Sequence, residues 1–183
     1  EFGRDGRYTL ALDDRVLDTS AMVDMLAGWL DAYPIVSIED PVGEDDRDGF
    51  LACMKRFGAR CQIIGDDYLV TNAERVEASA RDGSTNAVLV KVNQAGTVTE
   101  AKAALDAGRQ AGFGTIVSAR SGETEDLTIV HLAVGWDAGQ FKVGSFSRSE
   151  RMAKWNEGIR IEEAMGASAR FAGAGALPVK LAG

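Results

Sequence analysis

The sequence predicts a parallel α/β fold, and three observations carry that prediction. Short apolar runs, most of them β-branched, recur along the chain. Amphipathic segments of helical period fill the gaps between them. Successive runs start roughly 25 residues apart, the length of one strand, one helix and two short loops. Repeated strand–helix units build either an open sheet or a closed barrel. Five such runs are too few for the eight strands of a complete (β/α)8 barrel, so the chain reads as an open-sheet protein or as the later part of a barrel.

The elements follow in order. Residues 8–12 suit an extended segment. Residues 20–33 place Met22, Leu26, Trp29 and Leu30 at helical spacing and stop at Pro34, which cannot continue a helix. The first strand is 35–38 and a second helix is 46–57, its acidic start (Asp45, Asp46, Asp48) matched to the helix dipole. The second strand is 61–64. Thr71 with Glu74 three residues on predicts a helix start with Thr71 as the cap, and Thr97 with Glu100 repeats that spacing ahead of a helix over 97–112. The remaining strands are 87–90, 115–117 and the weaker 140–143, with helices over 123–135 and 147–165. After Gly166 the chain turns rich in Ala and Gly, so residues 1–166 read as the folded portion and 167–183 as an irregular tail.

Composition narrows the function. Of 183 residues, 20 are Lys or Arg and 28 are Asp or Glu, a net charge of −8 that disfavours nucleic-acid binding. No apolar run approaches the ~20 residues of a membrane-spanning helix, so no membrane partner is expected. Two cysteines outside any CxxC pattern read as reduced thiols in a cytoplasmic protein. One histidine, His131, within an apolar helical stretch gives no zinc site. No GxGxxG, P-loop or GxSxG pattern is present.

The chemistry gathers where the strands end. The first run leads into Glu39-Asp40-Pro41, the second into Gly65-Asp66-Asp67, the third into Lys91-Val92-Asn93, the fourth into Ser118-Ala119-Arg120-Ser121, and the fifth carries Lys142. In a parallel fold the carboxyl ends of the strands share one face, and that face hosts the active site. Any one of these residues alone would be a helix cap or a solvated surface group; five polar ends in succession select a site. Carboxylates supply oxygen ligands for Mg2+. A lysine amine suits a general base. Arg and a second Lys suit an anionic substrate. Together they point to proton abstraction beside a carboxylate.

The motifs themselves resemble those of enolases. They are Ser37-Ile38-Glu39-Asp40-Pro41, Gly65-Asp66-Asp67-Tyr68-Leu69-Val70-Thr71-Asn72, Lys91-Val92-Asn93-Gln94-Ala95-Gly96-Thr97, Ser118-Ala119-Arg120-Ser121-Gly122-Glu123-Thr124-Glu125-Asp126 and Ser147-Arg148-Ser149-Glu150-Arg151-Met152-Ala153-Lys154-Trp155-Asn156, extended by Arg160-Ile161-Glu162-Glu163. They stand in family order with family-like spacing, from about residue 1 to about residue 173. The resemblance implies the C-terminal portion of an enolase-type (β/α)8 barrel, incomplete in this chain. It further implies a cytoplasmic homodimer with bound Mg2+ that reversibly dehydrates the small phosphorylated acid 2-phosphoglycerate to phosphoenolpyruvate in glycolysis. By motif, Glu39 and Asp66 correspond to metal ligands and Lys91 to the base. Arg120 and Ser121 correspond to phosphate contacts, and Lys142 to the lysine facing the substrate carboxylate. The family's first metal ligand, general acid and mobile loops lie upstream of these motifs, so the chain reads as a section of a larger molecule.

Two positions depart from the pattern. Ala119 stands where enolases carry His, and Val143 where they carry Thr. Replacing an imidazole with a methyl removes a donor and opens space. Two further readings therefore stay open: a diverged enolase relative acting on a phosphonate or another phosphorylated hydroxy acid, and a non-catalytic relative.

Overall fold

The computed structural model describes residues 3–180. The chain opens with an antiparallel meander, β1 (Gly3–Arg4), β2 (Arg7–Leu10) and β3 (Arg15–Asp18). The extended segment expected at 8–12 is therefore the middle strand of a small sheet, and a 3-10 turn at Ala11–Asp13 cuts it short. Helix α1 (Thr19–Ala32) follows, capped by Asp18, whose carboxylate accepts the Ala21 N–H at 2.8 Å. It buries Val23, Leu26, Ala27 and Leu30 and ends ahead of Pro34.

A regular alternation then begins: β4 (Ser37–Glu39), α2 (Arg47–Phe57), β5 (Gln62–Gly65), α3 (Ala73–Asp82), β6 (Ala87–Val90), the short α4 (Val92–Ala95), α5 (Val98–Gln110), β7 (Gly114–Ser118), α6 (Thr128–Gly135), β8 (Gln140–Lys142) and α7 (Ser149–Met165). The five strands are all parallel and pair in strict sequence order. Crossovers between parallel strands are right-handed as a rule, and with the strands in strict sequence order that rule puts the connecting helices on one face, as in a barrel wall.

Side chains show that the wall curls. In a flat sheet β5 and β8, three steps apart, would be separated by about 14 Å. Yet the Gln62 and Gln140 amides bond to each other twice, at 3.0 and 2.8 Å. Across four steps, Lys142 Nζ on β8 reaches the Glu39 carboxylate on β4. Only a strongly curled sheet brings those inner faces together, and five parallel strands so curled are part of a barrel wall.

The strand period of two sorts the side chains. One face of β6 carries Val88 and Val90, packed with Val117, Leu105 and Ala101 beneath the helices; the other carries Ala87 and Leu89, which meet Ile64 and Ile116 inside the curl. The interior is thus layered. Ser37, Gln62 and Gln140 join at the amino ends of the strands, an apolar layer lies in the middle, and charges cluster at the carboxyl ends. A second core under α1 and α2 joins Tyr8, Leu17, Leu26, Phe50, Phe57 and Ile63. Cys53 and Cys61 are free and fully buried, and burial pushes their thiols up to about 12 and about 11, so both are inert.

Two local expectations change. The helix expected over 123–135 begins only at Thr128, because Glu123 is drawn into tertiary bonds and Asp126 accepts the Thr128 N–H at 2.9 Å. The cap of α3 is Asn72, which accepts the Arg75 N–H, and Thr71 turns inward instead. The residues after α7 form 3-10 turns at Gly166–Ser168 and Gly173–Ala176, and the Ala176 carbonyl accepts from Gln140 at 3.0 Å beneath the curl. Among the described residues no helix is long and apolar enough to cross a membrane.

Candidate active site

The inward period of the strands carries directly into the site. Ile64 and Leu89 face inward, so Asp66 and Lys91, two residues on, do too. Lys91 Nζ donates to Asp66 Oδ2 at 2.5 Å, with both side chains about nine-tenths buried. Glu39 and Lys142, at the ends of β4 and β8, form the second ion pair, more open to solvent. The structure therefore brings together four of the six residues singled out by sequence as two acid–lysine pairs on one rim. The other two, Arg120 and Ser121, follow β7. The Arg120 guanidinium donates to Asn93 at 3.2 Å, and Ser121 borders the same cavity.

That cavity has a volume of about 450 Å3. Lys91, Arg120, Lys142, Arg148 and Arg151 line it against the single carboxylate of Asp67. So dense a set of cations, on elements far apart in sequence, suits an anion. Ala119 forms part of its wall. A larger hollow of about 630 Å3 lies on the other side of Asp40 and Asp67, against Tyr8, Met22 and Val42. Arg4 shares its wall with Asp40, Glu44, Asp45 and Asp67, so the lining of this hollow is mainly acidic.

For a metal, the donor set must be tested. Asp66 Oδ1 is buried and has no hydrogen-bond partner, which is what a carboxylate oxygen reserved for a cation looks like. Ligand atoms of Asp40, Asp66 and Asp67 lie within 4.8 Å of one another. Asp40 is the less suited of these. Its two oxygens already accept the backbone N–H groups of Asp66, at 2.9 Å, and of Asp67, at 2.8 Å. Burial, opposed by those bonds, pushes its carboxyl up to about 6, with the charges of Asp66 and Asp67 adding to the rise. Asp40 is a bracket that fixes the end of β5. An oxygen-rich, acid-lined position suits Mg2+, with the unpartnered oxygen of Asp66 open to it; Glu39, the other expected donor, lies outside this acidic cluster and is held by Lys142.

Sequence reasoning missed the residues that hold this rim. Arg151 of α7 is buried and donates to the carbonyls of Val143, at 2.8 Å, and Ser121, at 2.9 Å, clamping the loops after β8 and β7 together. Lys154, one turn on and 1% exposed, pairs with Glu123 at 2.9 Å and donates to the Thr124 carbonyl. Glu123 in turn accepts the Arg120 backbone N–H at 2.7 Å. Both lie in a motif that resembles the family's, but only their burial and partners show what they hold.

Comparison with known proteins agrees with this geometry. Residues 1–179 match the family model for the enolase C-terminal TIM barrel domain. The chain belongs to the enolase family. It is 51% identical over 166 residues to "Enolase 1" of Desulfitobacterium hafniense (strain Y51), a match that covers 91% of this chain and 38% of that relative. The chain thus spans little more than a third of the relative's length. The parallel order β4 to β8 and the curl of the wall are those of an enolase barrel, and the two acid–lysine pairs sit at its carboxyl end.

Proposed function

We propose that this chain supplies the catalytic face of a magnesium-dependent hydro-lyase that dehydrates 2-phosphoglycerate to phosphoenolpyruvate in the cytoplasm. The observation that carries the reading is Lys91: a lysine amine on a buried carboxylate, at the rim of a cavity lined by cations. Family membership supports it.

The roles follow from position. Lys91 Nζ takes the proton from the carbon next to the substrate carboxylate. Arg120 and Ser121 hold the phosphate, and Lys142 faces the carboxylate. Glu39 and Asp66 would hold Mg2+, which when bound would supply positive charge next to the substrate carboxylate. The hydroxyl on the neighbouring carbon leaves as water after gaining a proton from an acid for which this chain offers no assigned residue. A homodimer through the exposed region of Arg160 and Glu163 belongs to the same reading.

Ala119 favours a second reading. A methyl in the wall of the anion cavity gives room and no hydrogen-bond donor, which suits a phosphonate or another phosphorylated hydroxy acid. The test is a dehydration assay of the intact protein with Mg2+ and 2-phosphoglycerate, following the absorbance of the enol product. Turnover supports the first reading. Mg2+ binding without turnover on this substrate supports the second. Neither binding nor turnover would leave a non-catalytic relative.

A further inference from the structure

Two consecutive β-branched residues, Val70 and Thr71, adopt left-handed backbone conformations, with φ of +46° and +52°. Non-glycine residues rarely do so, and β-branched ones least of all. Such strain persists only where the surrounding structure holds it. Here it turns the Thr71 side chain away from the cap position of α3 and buries it at 2% exposure. There the hydroxyl oxygen accepts the backbone N–H of Lys91 at 3.0 Å and donates to Gln94 Oε1 at 2.7 Å. The Gln94 amide continues to Asp67 Oδ1 at 3.3 Å.

We infer that Thr71 is a positioning residue for Lys91, and that the strained Val70–Thr71 turn exists to deliver its hydroxyl to that backbone N–H. The inference rests on the assignment of Lys91 as the base. Lys91 follows β6 and caps α4, so the ladder to β7, which runs up to Val90, does not extend to it. Its N–H is instead bonded by Thr71, and its amine is held by Asp66. Both anchors come from one stretch of chain, 66–71, so the geometry between the amine and the Asp66 carboxylate is set by a single turn. Gln94 ties the same hydroxyl to the Asp66–Asp67 end of that turn.

Thr71→Val keeps the branched shape and the packing but removes the hydroxyl; Thr71→Ser keeps the hydroxyl. Three readouts apply: kcat and KM for 2-phosphoglycerate, the melting temperature, and the rate at which an amine-acylating reagent labels Lys91 at one fixed pH, located by mass spectrometry. Thr71→Val is expected to lower kcat about 10²-fold with KM nearly unchanged, as a misplaced reacting group does. It is also expected to label faster at Lys91, because the amine is less firmly held. Thr71→Ser is expected to keep both values near wild type. Gln94→Ala, on the short and partly exposed α4, provides a variant with little structural cost and is expected to show a smaller loss of the same kind. Wild-type kcat and labelling in Thr71→Val would overturn the inference, and so would equal losses in Thr71→Ser. The labelling arm needs no turnover. An inactive wild type would therefore overturn the proposed function while the difference in Lys91 labelling still decides the role of Thr71.

Discussion

The two ends of the curled sheet are built from the same inward-facing positions and carry opposite chemistry. At the amino ends, Ser37, Gln62 and Gln140 are neutral, and the two amides satisfy one another. Two residues along the same strands β4 and β8, Glu39 and Lys142 are charged, and Asp66 keeps an oxygen with no partner. Neutral, mutually bonded groups contribute to stability at modest cost, whereas clustered charges with an unsatisfied oxygen are kept for something other than stability. One end of the wall holds the fold together, and the other holds the site.

Four substitutions break or sharpen that contrast. Lys91→Ala at the charged end is expected to lower turnover by about 10²–10⁴-fold with the circular dichroism spectrum unchanged; retained activity would sink its assignment as the base. Lys154→Met removes a buried amine and strands Glu123, so unfolding by urea should show a loss of about 3–5 kcal/mol, with weaker phosphate binding as the loop behind Arg120 loosens. Gln62→Leu at the neutral end should cost about 1–3 kcal/mol and leave turnover at the wild-type rate, and a large catalytic loss there would erase the distinction between the ends. Tyr8→Phe lies at neither end and should cost about 1 kcal/mol, because the phenol bonds Asp46 at 2.6 Å and accepts the Gly43 N–H.

Tyr8 also sets an alkaline signature. Burial, and then its bond to Asp46, push the phenol from 10.0 up to about 12. The folded state therefore keeps this proton where the unfolded chain has lost it. Its contribution is fully present below pH 10 and declines as pH rises from about 10 to about 12. Urea unfolding at pH 9 and at pH 11.5 should show that decline in the wild type and a smaller one in Tyr8→Phe.

The parallel strands were legible because β-branched runs bounded by helical periods are a local signal, and each of the five expected strands lies within two residues of an observed one. Glu39, Asp66, Lys91 and Lys142 were legible because strand ends in a parallel fold converge by topology alone. The supports were not. Arg151 and Lys154 sit in a motif that resembles the family's, but what they hold depends on loops from two other strand ends, which the motif alone does not reveal. Asp40 stands beside an expected ligand, but only the geometry shows that both its oxygens are taken up by backbone N–H groups. The spacing of Thr71 to Glu74 fits a cap, yet Asn72 takes the role, since a strained backbone turns the threonine inward.

The Gln62–Gln140 pair spans 78 residues of sequence, and with the Lys142–Glu39 pair it acts as a proofreading device for strand alignment. If β8 slipped by one residue against β7, Phe141 would swing into the curl while Gln140 and Lys142 swung out. The amide pair at one end and the ion pair at the other would fail together, so a misaligned chain meets two penalties at opposite ends. Both links are long-range, and so the check comes only when the wall closes, late in folding, after the local strand–helix units have formed.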